Sequence, residues 1–151
     1  MSCKWNDQKS IILTRVIVAA AIAGCAVMTV SGPWLTHWMV SAHALPPASG
    51  SVLLGMGYVC AVLAFVMLVS LYKFLRRIEA GAVFVPANVT ALRRISWCCA
   101  GAAVVCLAAA YIYLPFVFLG VAAAFMALIV RVLKNAFAQA VRMKDELDYT
   151  I

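Results

Sequence analysis

Cysteine is the residue type in this chain with the greatest capacity for chemistry, because the sequence contains six of them. A thiol oxidase linked to a quinone would need cysteine pairs in polar segments on the outer side of a membrane. Here five lie within long apolar stretches and one lies near the amino terminus: Cys25, Cys60, Cys98, Cys99 and Cys106, and Cys3. Since buried cysteine behaves as a small apolar residue, we expect these thiols to pack rather than to do redox chemistry.

The two histidines, His37 and His43, are the other candidates for chemistry. No carboxylate or cysteine lies near them to complete a metal shell, and haem ligation between helices would need histidines deep within apolar segments. The sequence contains no Ser-His-Asp set, HExxH motif or phosphate-binding glycine loop. It also lacks the intramembrane glutamate expected of a small multidrug antiporter. We predict no metal, no cofactor and no enzymatic activity.

Four apolar segments must position these residues, at about 11–30, 52–72, 95–114 and 115–133. Each is close to the ~20 residues that a helix needs to cross ~30 Å of hydrocarbon. A composition that is 67% hydrophobic, with a mean hydropathy of +1.05, leaves too little polar surface for a soluble globule. The sequence predicts an all-α integral membrane protein, with residues 1–151 forming one antiparallel bundle of four transmembrane helices.

Basic residues are confined to three parts of the chain. The connection at about 31–51 and the join near Pro115 hold none. The positive-inside rule therefore predicts that both termini and the middle loop are cytoplasmic. Because these residues flank spans, we expect them to contact anionic lipid head groups rather than to bind nucleic acid directly. The three groups are Lys4, Lys9 and Arg15; Lys73, Arg76, Arg77, Arg93 and Arg94; and Arg131, Lys134, Arg142 and Lys144.

Proline and small residues predict where the spans end and meet. Ser31-Gly32-Pro33 is expected to interrupt the first span, and Pro115 to mark the outer turn between the third and fourth. Small residues allow close helix packing. They occur in the first span at Ala19, Ala20, Ala23 and Gly24, in the third at Cys98, Ala102, Cys106 and Ala110, and in the fourth at Gly120 and Ala124, followed by Leu128. The third and fourth spans should therefore pack closely.

Residues 134–151 are expected to form a cytoplasmic amphipathic extension that ends in an acidic tail. Leu133, Phe137 and Val141 lie on its apolar side, which would contact either the inner leaflet or a partner protein. Asp145, Glu146 and Asp148 oppose the helix dipole, so the helix is expected to fray there.

Two parts of the sequence resemble the YoaS-like family of small bacterial membrane proteins. They are Gly81, Phe84, Asn88, Leu92, Arg93 and Ile95, and the final Lys144-Asp145-Glu146-Leu147-Asp148-Tyr149-Thr150-Ile151. The resemblance implies four spans, a bacterial cytoplasmic (inner) membrane and an unknown function. Its members are often encoded beside a Cro-type helix-turn-helix regulator, which implies by analogy that the membrane protein holds or releases such a regulator.

These observations favour a non-enzymatic regulatory or accessory protein that acts through its cytoplasmic face. The candidate contacts with a partner or with lipid are Arg76, Arg77, Gly81, Phe84, Asn88, Arg93, Arg94, Asp145, Glu146 and Asp148. A structural interpretation of the same loop stays open, in which Gly81 ends a helix, Phe84 enters the interface, Asn88 caps the next helix and Arg93 binds head-group phosphate.

Two other functions also stay open. One is a small transporter or pore subunit, which would need a homo-oligomer and a pathway lined by Thr29, Ser70 and the backbone near Gly55 and Gly57. The other is a membrane-packing protein without a ligand.

Overall fold

Four helices account for nearly all of the chain in a computed structural model. The backbone is described for residues 2–43 and 46–149, and the side chains for 12–43, 46 and 48–147. The helices are α1 (Ser2–Ala42), α2 (Pro47–Glu79), α3 (Pro86–Ala109) and α4 (Phe116–Tyr149). Within these ranges there is no strand, so the predicted all-α fold is confirmed.

All four helices are long and apolar enough to cross a membrane, which makes the chain a multi-pass membrane protein. The candidate spans are Ile12–Ala42, Ala48–Glu79, Pro86–Ala109 and Phe116–Leu147, of 24 to 32 residues. At ~1.5 Å per residue each exceeds the ~30 Å of a hydrocarbon core. The helices therefore extend past the predicted spans, and the turn between α3 and α4 falls at 110–115.

The predicted interruption of the first span at Pro33 is wrong, because α1 continues to Ala42. Proline removes one backbone donor, but nearby hydroxyls bond to carbonyls of the same helix. Thr36 Oγ1 donates to the carbonyls of Gly32 and Pro33, at 3.1 and 3.0 Å, and Thr29 Oγ1 donates to that of Cys25 at 2.7 Å. None of these three bonds reaches the carbonyl of Thr29, which the N–H of residue 33 would otherwise have served. The expected loop at 31–51 is therefore mostly helix.

Each helix packs against the next one along the chain, in antiparallel order. Between described residues, no Cα of α1 comes within 8 Å of a Cα of α3 or α4. The core lies around α3, where Ile95 and Cys99 pack with Ala127 of α4 and with Met67 and Leu71 of α2. The membrane bundle is thus centred on α3, and α1 lies at one side against α2.

Gly120 lies at a close approach of α3 and α4. A Cβ atom built on Gly120 would lie 2.8 Å from Cγ and Cδ2 of Leu107 and 3.2 Å from its backbone nitrogen. The predicted close packing of these two helices is confirmed by this approach. In contrast, Ala19, Ala20 and Ala23 of α1 are exposed, and nothing lies within 4 Å of the Cβ position of Gly24. No described helix of this chain therefore packs there, and the expectation that another helix comes close stays a prediction.

Gly120→Ala should destabilise the fold by about 1–3 kcal/mol, since the added methyl group overlaps Leu107 in a packed contact. The measurement is thermal unfolding of the purified chain in a mild detergent. Gly55→Ala is the matched control, because its Cβ position has no neighbour within 4 Å. Equal melting temperatures for the two variants would contradict close packing at Gly120.

Candidate functional site at the charged end

We call one end of the bundle the charged end. It comprises the part of α1 around Arg15, the connection between α2 and α3, and α4 from Arg131 onward. The candidate residues taken from the sequence lie here, in three groups. Arg77, Gly81, Phe84 and Asn88 belong to the α2–α3 connection, Arg93 lies against α4, and the acids follow on α4.

Gly81 ends α2, as predicted. Its φ of 79° is in the left-handed region, which glycine adopts without steric cost. The N–H of Gly81 donates to the carbonyl of Ile78 at 2.9 Å, and that of Ala82 to the carbonyl of Arg77 at 3.0 Å. This is the Schellman pattern of hydrogen bonds, which satisfies carbonyls at the end of a helix.

Asn88 does not cap α3, contrary to the expectation. The helix begins at Pro86, whose restricted φ suits a first helical position, and Val85 occupies the cap position without a side-chain hydrogen bond. Asn88 is fully buried, and its Nδ2 donates to the carbonyls of Ala82 and Val83 at 2.9 and 2.8 Å. Asn88 therefore holds the connection against the first turn of α3, using its donors instead of its acceptor.

Two further contacts hold the α2–α3 connection in place. Arg77 Nη1 donates to the carbonyl of Ala87 at 3.1 Å. The Phe84 ring centroid lies 6.1 Å from that of Phe137 on α4, which lies 5.9 Å from that of Phe74 on α2. Phe84 is nevertheless 46% exposed, so part of its ring remains available to the interface. The connection is thereby joined to three helices.

The apolar side of the α4 extension packs largely within the chain. Phe137 contacts the two rings just described, and Val141 is 7% exposed. These two residues therefore make contacts within the chain that the sequence did not predict, while contact of this side with lipid or a partner stays a prediction. The predicted fraying is wrong, since α4 continues to Tyr149. A charge that opposes the helix dipole costs only about 0.3–1 kcal/mol, which helix propagation can offset.

The remaining candidates do not converge on one site. Arg93 lines a cleft with Lys134 and Arg142, while Arg76 and Arg94 are exposed elsewhere on α2 and α3. Asp145 and Glu146 are exposed on the last turns of α4. The side chain of Asp148, the residues Thr150 and Ile151, and the side chain of Cys3 lie outside the described part of the chain.

Sequence reasoning missed a contact between α1 and α2 at this end. Arg15 Nη1 lies 3.2 Å from Glu79 Oε2, while its Nε and Nη2 donate to Tyr72 Oη at 3.2 and 2.9 Å. Both charged side chains are well exposed, at 41% and 36%. Exposed ion pairs add little stability, so this contact mainly sets how α1 lies along α2. The contact between Arg15 and Glu79 could have been predicted from the register of two antiparallel helices, since α1 ends at Ala42 and α2 begins at Pro47.

At the opposite end of the bundle, a polar contact joins two described residues from distant elements. His43 Nε2 lies 3.1 Å from Tyr113 Oη, and the two ring centroids are 4.9 Å apart. This pair joins the end of α1 to the α3–α4 turn. His37 is exposed elsewhere on α1. Among the described side chains, no three His, Cys, Asp or Glu residues come together as metal ligands would.

A family model described as "Protein of unknown function (DUF2975)" matches residues 40–151, about three quarters of the chain. The chain belongs to this family. The matched region covers α2, α3 and α4 and the end of α1, so it contains the core around α3 and the α2–α3 connection. No curated protein and no solved structure matches the chain. The expectation that it belongs to a membrane-protein family of unknown function is confirmed, while the YoaS-like assignment and the neighbouring regulator stay predictions.

Asn88→Asp should destabilise the α2–α3 connection by about 2 kcal/mol or more, because a carboxylate cannot donate to the two carbonyls and would be buried with them. Thermal unfolding in detergent measures the change. Thr90→Ala is the control, since its exposed hydroxyl donates only within α3, to the carbonyl of Pro86. A melting temperature of Asn88→Asp equal to that of Thr90→Ala would show that the amide does not hold the connection.

Proposed function

We propose that this member of the family is a non-enzymatic regulatory or accessory protein that contacts a soluble partner through the charged end. We further propose that it lies in a bacterial cytoplasmic membrane with both termini and the α2–α3 connection in the cytoplasm. The distribution of basic residues supports this orientation, since all 12 lie at or near the charged end of the helices.

The end of α4 carries this proposal. Among the described side chains Val141 is the last buried one, and the helix continues past it to Tyr149. Met143 and Leu147, four residues apart on one side, are 59% and 69% exposed, and Asp145 and Glu146 are exposed beside them. A helix that presents apolar side chains at this spacing, together with charge, is suited to docking in a groove of another protein.

A helix-turn-helix regulator is the partner that the family resemblance suggests, and the charge of the segment supports it. DNA-binding surfaces are basic because they neutralise phosphates. An acidic helical segment is complementary to such a surface and would compete with DNA for it. On this proposal the membrane protein holds the regulator away from DNA.

Truncation after Met143, or the triple variant D145A/E146A/D148A, should reduce recovery of the soluble partner by about tenfold, equivalent to ~1.4 kcal/mol. The measurement is crosslinking and affinity capture from native membranes. N135A/Q139A is the matched control, because both residues are exposed on α4 outside the acidic segment. Equal recovery from the truncated and full chains would contradict a role for this segment, and recovery of no soluble protein would contradict the proposal.

A cavity between α1 and α2 favours a second candidate function, that of a transporter or pore subunit. Its volume is about 350 Å³, and its lining includes Thr29, Tyr58 and Gly57, with Phe116 of α4 at one side. No charged side chain lines it. Ser70 lies elsewhere and donates to the carbonyl of Val66 on its own helix. The cavity suits an apolar molecule and not an ion.

Gly57→Leu tests this candidate, because it places a large side chain in the cavity. On the transport function it should reduce efflux of an aromatic fluorescent dye from proteoliposomes to the rate of protein-free vesicles, without affecting capture of the soluble partner. Gly55→Leu is the control, since Gly55 is exposed on the same helix and does not line the cavity. Equal dye efflux from the Gly57→Leu and Gly55→Leu variants would contradict a transport function for this cavity.

A further inference from the structure

Two adjoining clefts between α3 and α4 at the charged end share a basic lining. The larger, of about 350 Å³, is lined by Arg93, Lys134 and Arg142, with Val89, Ala138 and Val141 among its apolar walls. The smaller, of about 110 Å³, contains the same Arg93 and Lys134 together with Arg131, Ser96 and Trp97. Arg93 and Lys134 therefore lie between the two clefts, with one further arginine on either side.

The fold forces these four basic side chains together. Positions 86, 90, 93 and 97 of α3 recur at helical spacing, as do 131, 134, 138 and 142 of α4. The two stripes run antiparallel, and Ser96 Oγ donates to the carbonyl of Ala127 at 3.1 Å across the helix pair.

No carboxylate offsets this charge within the clefts. Neither lining contains Asp or Glu, α3 has none at all, and the first acid of α4 is Asp145, beyond Arg142. Within the described side chains, Arg93, Arg131, Lys134 and Arg142 make no ion pair. Four positive charges held near one another repel, so binding of an anion between them would be favourable.

Trp97 indicates what carries the anion. Its side chain is 69% exposed at the end of the smaller cleft, one helical turn from Arg93 toward the apolar part of α3. Exposed indole rings favour the boundary between hydrocarbon and head groups. Arg93 and Lys134 therefore lie at the level of the head groups, where lipid phosphates are concentrated, and the apolar cleft walls offer a surface for the glycerol and acyl carbons.

We propose that the cleft between α3 and α4 binds the head-group phosphate of an anionic phospholipid, with Arg93 and Lys134 as its central ligands and Arg131 and Arg142 flanking it. Basic pockets between transmembrane helices are suited to this chemistry. The site is a specific one and not a general attraction of basic residues to the bilayer. It needs no soluble partner, and so it is independent of the proposed function.

Native mass spectrometry of the full chain in a neutral detergent tests the site, with titration by phosphatidylglycerol, phosphatidylcholine or inorganic phosphate. R93Q/K134Q should weaken phosphatidylglycerol binding by about 30-fold. Each basic residue near anionic lipid contributes about 1 kcal/mol, and the loss of two is equivalent to this change in affinity. K73Q/K144Q is the control, because it removes the same charge from exposed residues outside the clefts. The control should change binding by less than about threefold on that same scale.

Three outcomes would overturn the proposal: equal weakening by the two variants, equal binding of phosphatidylcholine and phosphatidylglycerol, or cleft-dependent binding of inorganic phosphate without binding of the lipid. A second measurement avoids variants that fail to fold. Phosphatidylglycerol with brominated acyl chains should quench Trp97 fluorescence, taken as the difference between the full chain and W97F, more than brominated phosphatidylcholine at the same density. Equal quenching would also overturn the proposal.

Discussion

Backbone hydrogen bonding in hydrocarbon is the constraint on which this structure depends. An unpaired N–H or C=O there costs several kcal/mol, so the chain crosses the membrane only as continuous helix. At Pro33 the loss of one donor does not end α1, which continues to Ala42. At the α2–α3 connection, the N–H of Gly81 donates to a carbonyl at the end of α2, and Asn88 donates to the carbonyls of Ala82 and Val83 in the connection. The same rule thus explains both where helices continue and how they end.

Close packing around α3 follows from this constraint and has an electrostatic cost. Since lipid provides no hydrophobic drive for helices to associate, they associate through close contact of small residues, as Gly120 and Leu107 show. The packing of α3 against α4 also brings Arg93 of α3 next to Arg131, Lys134 and Arg142 of α4. The positive charge that orients spans in a membrane is therefore concentrated in a cleft, where an anion would be needed to relieve it.

The sequence predicted the features that depend on composition and on single residues. Four helices, the end of α2 at Gly81 and close packing at Gly120 follow from apolar length, glycine conformation and small size. The sequence did not predict the features that depend on which other residues of the chain a side chain contacts. Asn88 is a residue type that often caps helices, but here its side chain donates to the preceding connection. Phe137 lies on the apolar side of α4, and its ring packs against Phe74 of the same chain. The Arg15 contact depends on register between two helices, which no single residue encodes.

The two kinds of charge at this end are separated along α4, and this separation bears on how the protein would work. Arg131, Lys134 and Arg142 line the clefts against α3, and Asp145 and Glu146 are exposed on the turns of α4 that follow. Because exposed charges more than ~8–10 Å apart are largely screened in physiological salt, lipid in the cleft would scarcely affect the far end of the acidic segment. Lipid binding would therefore hold α4 against α3 and keep its end projecting, without competing with a protein bound there.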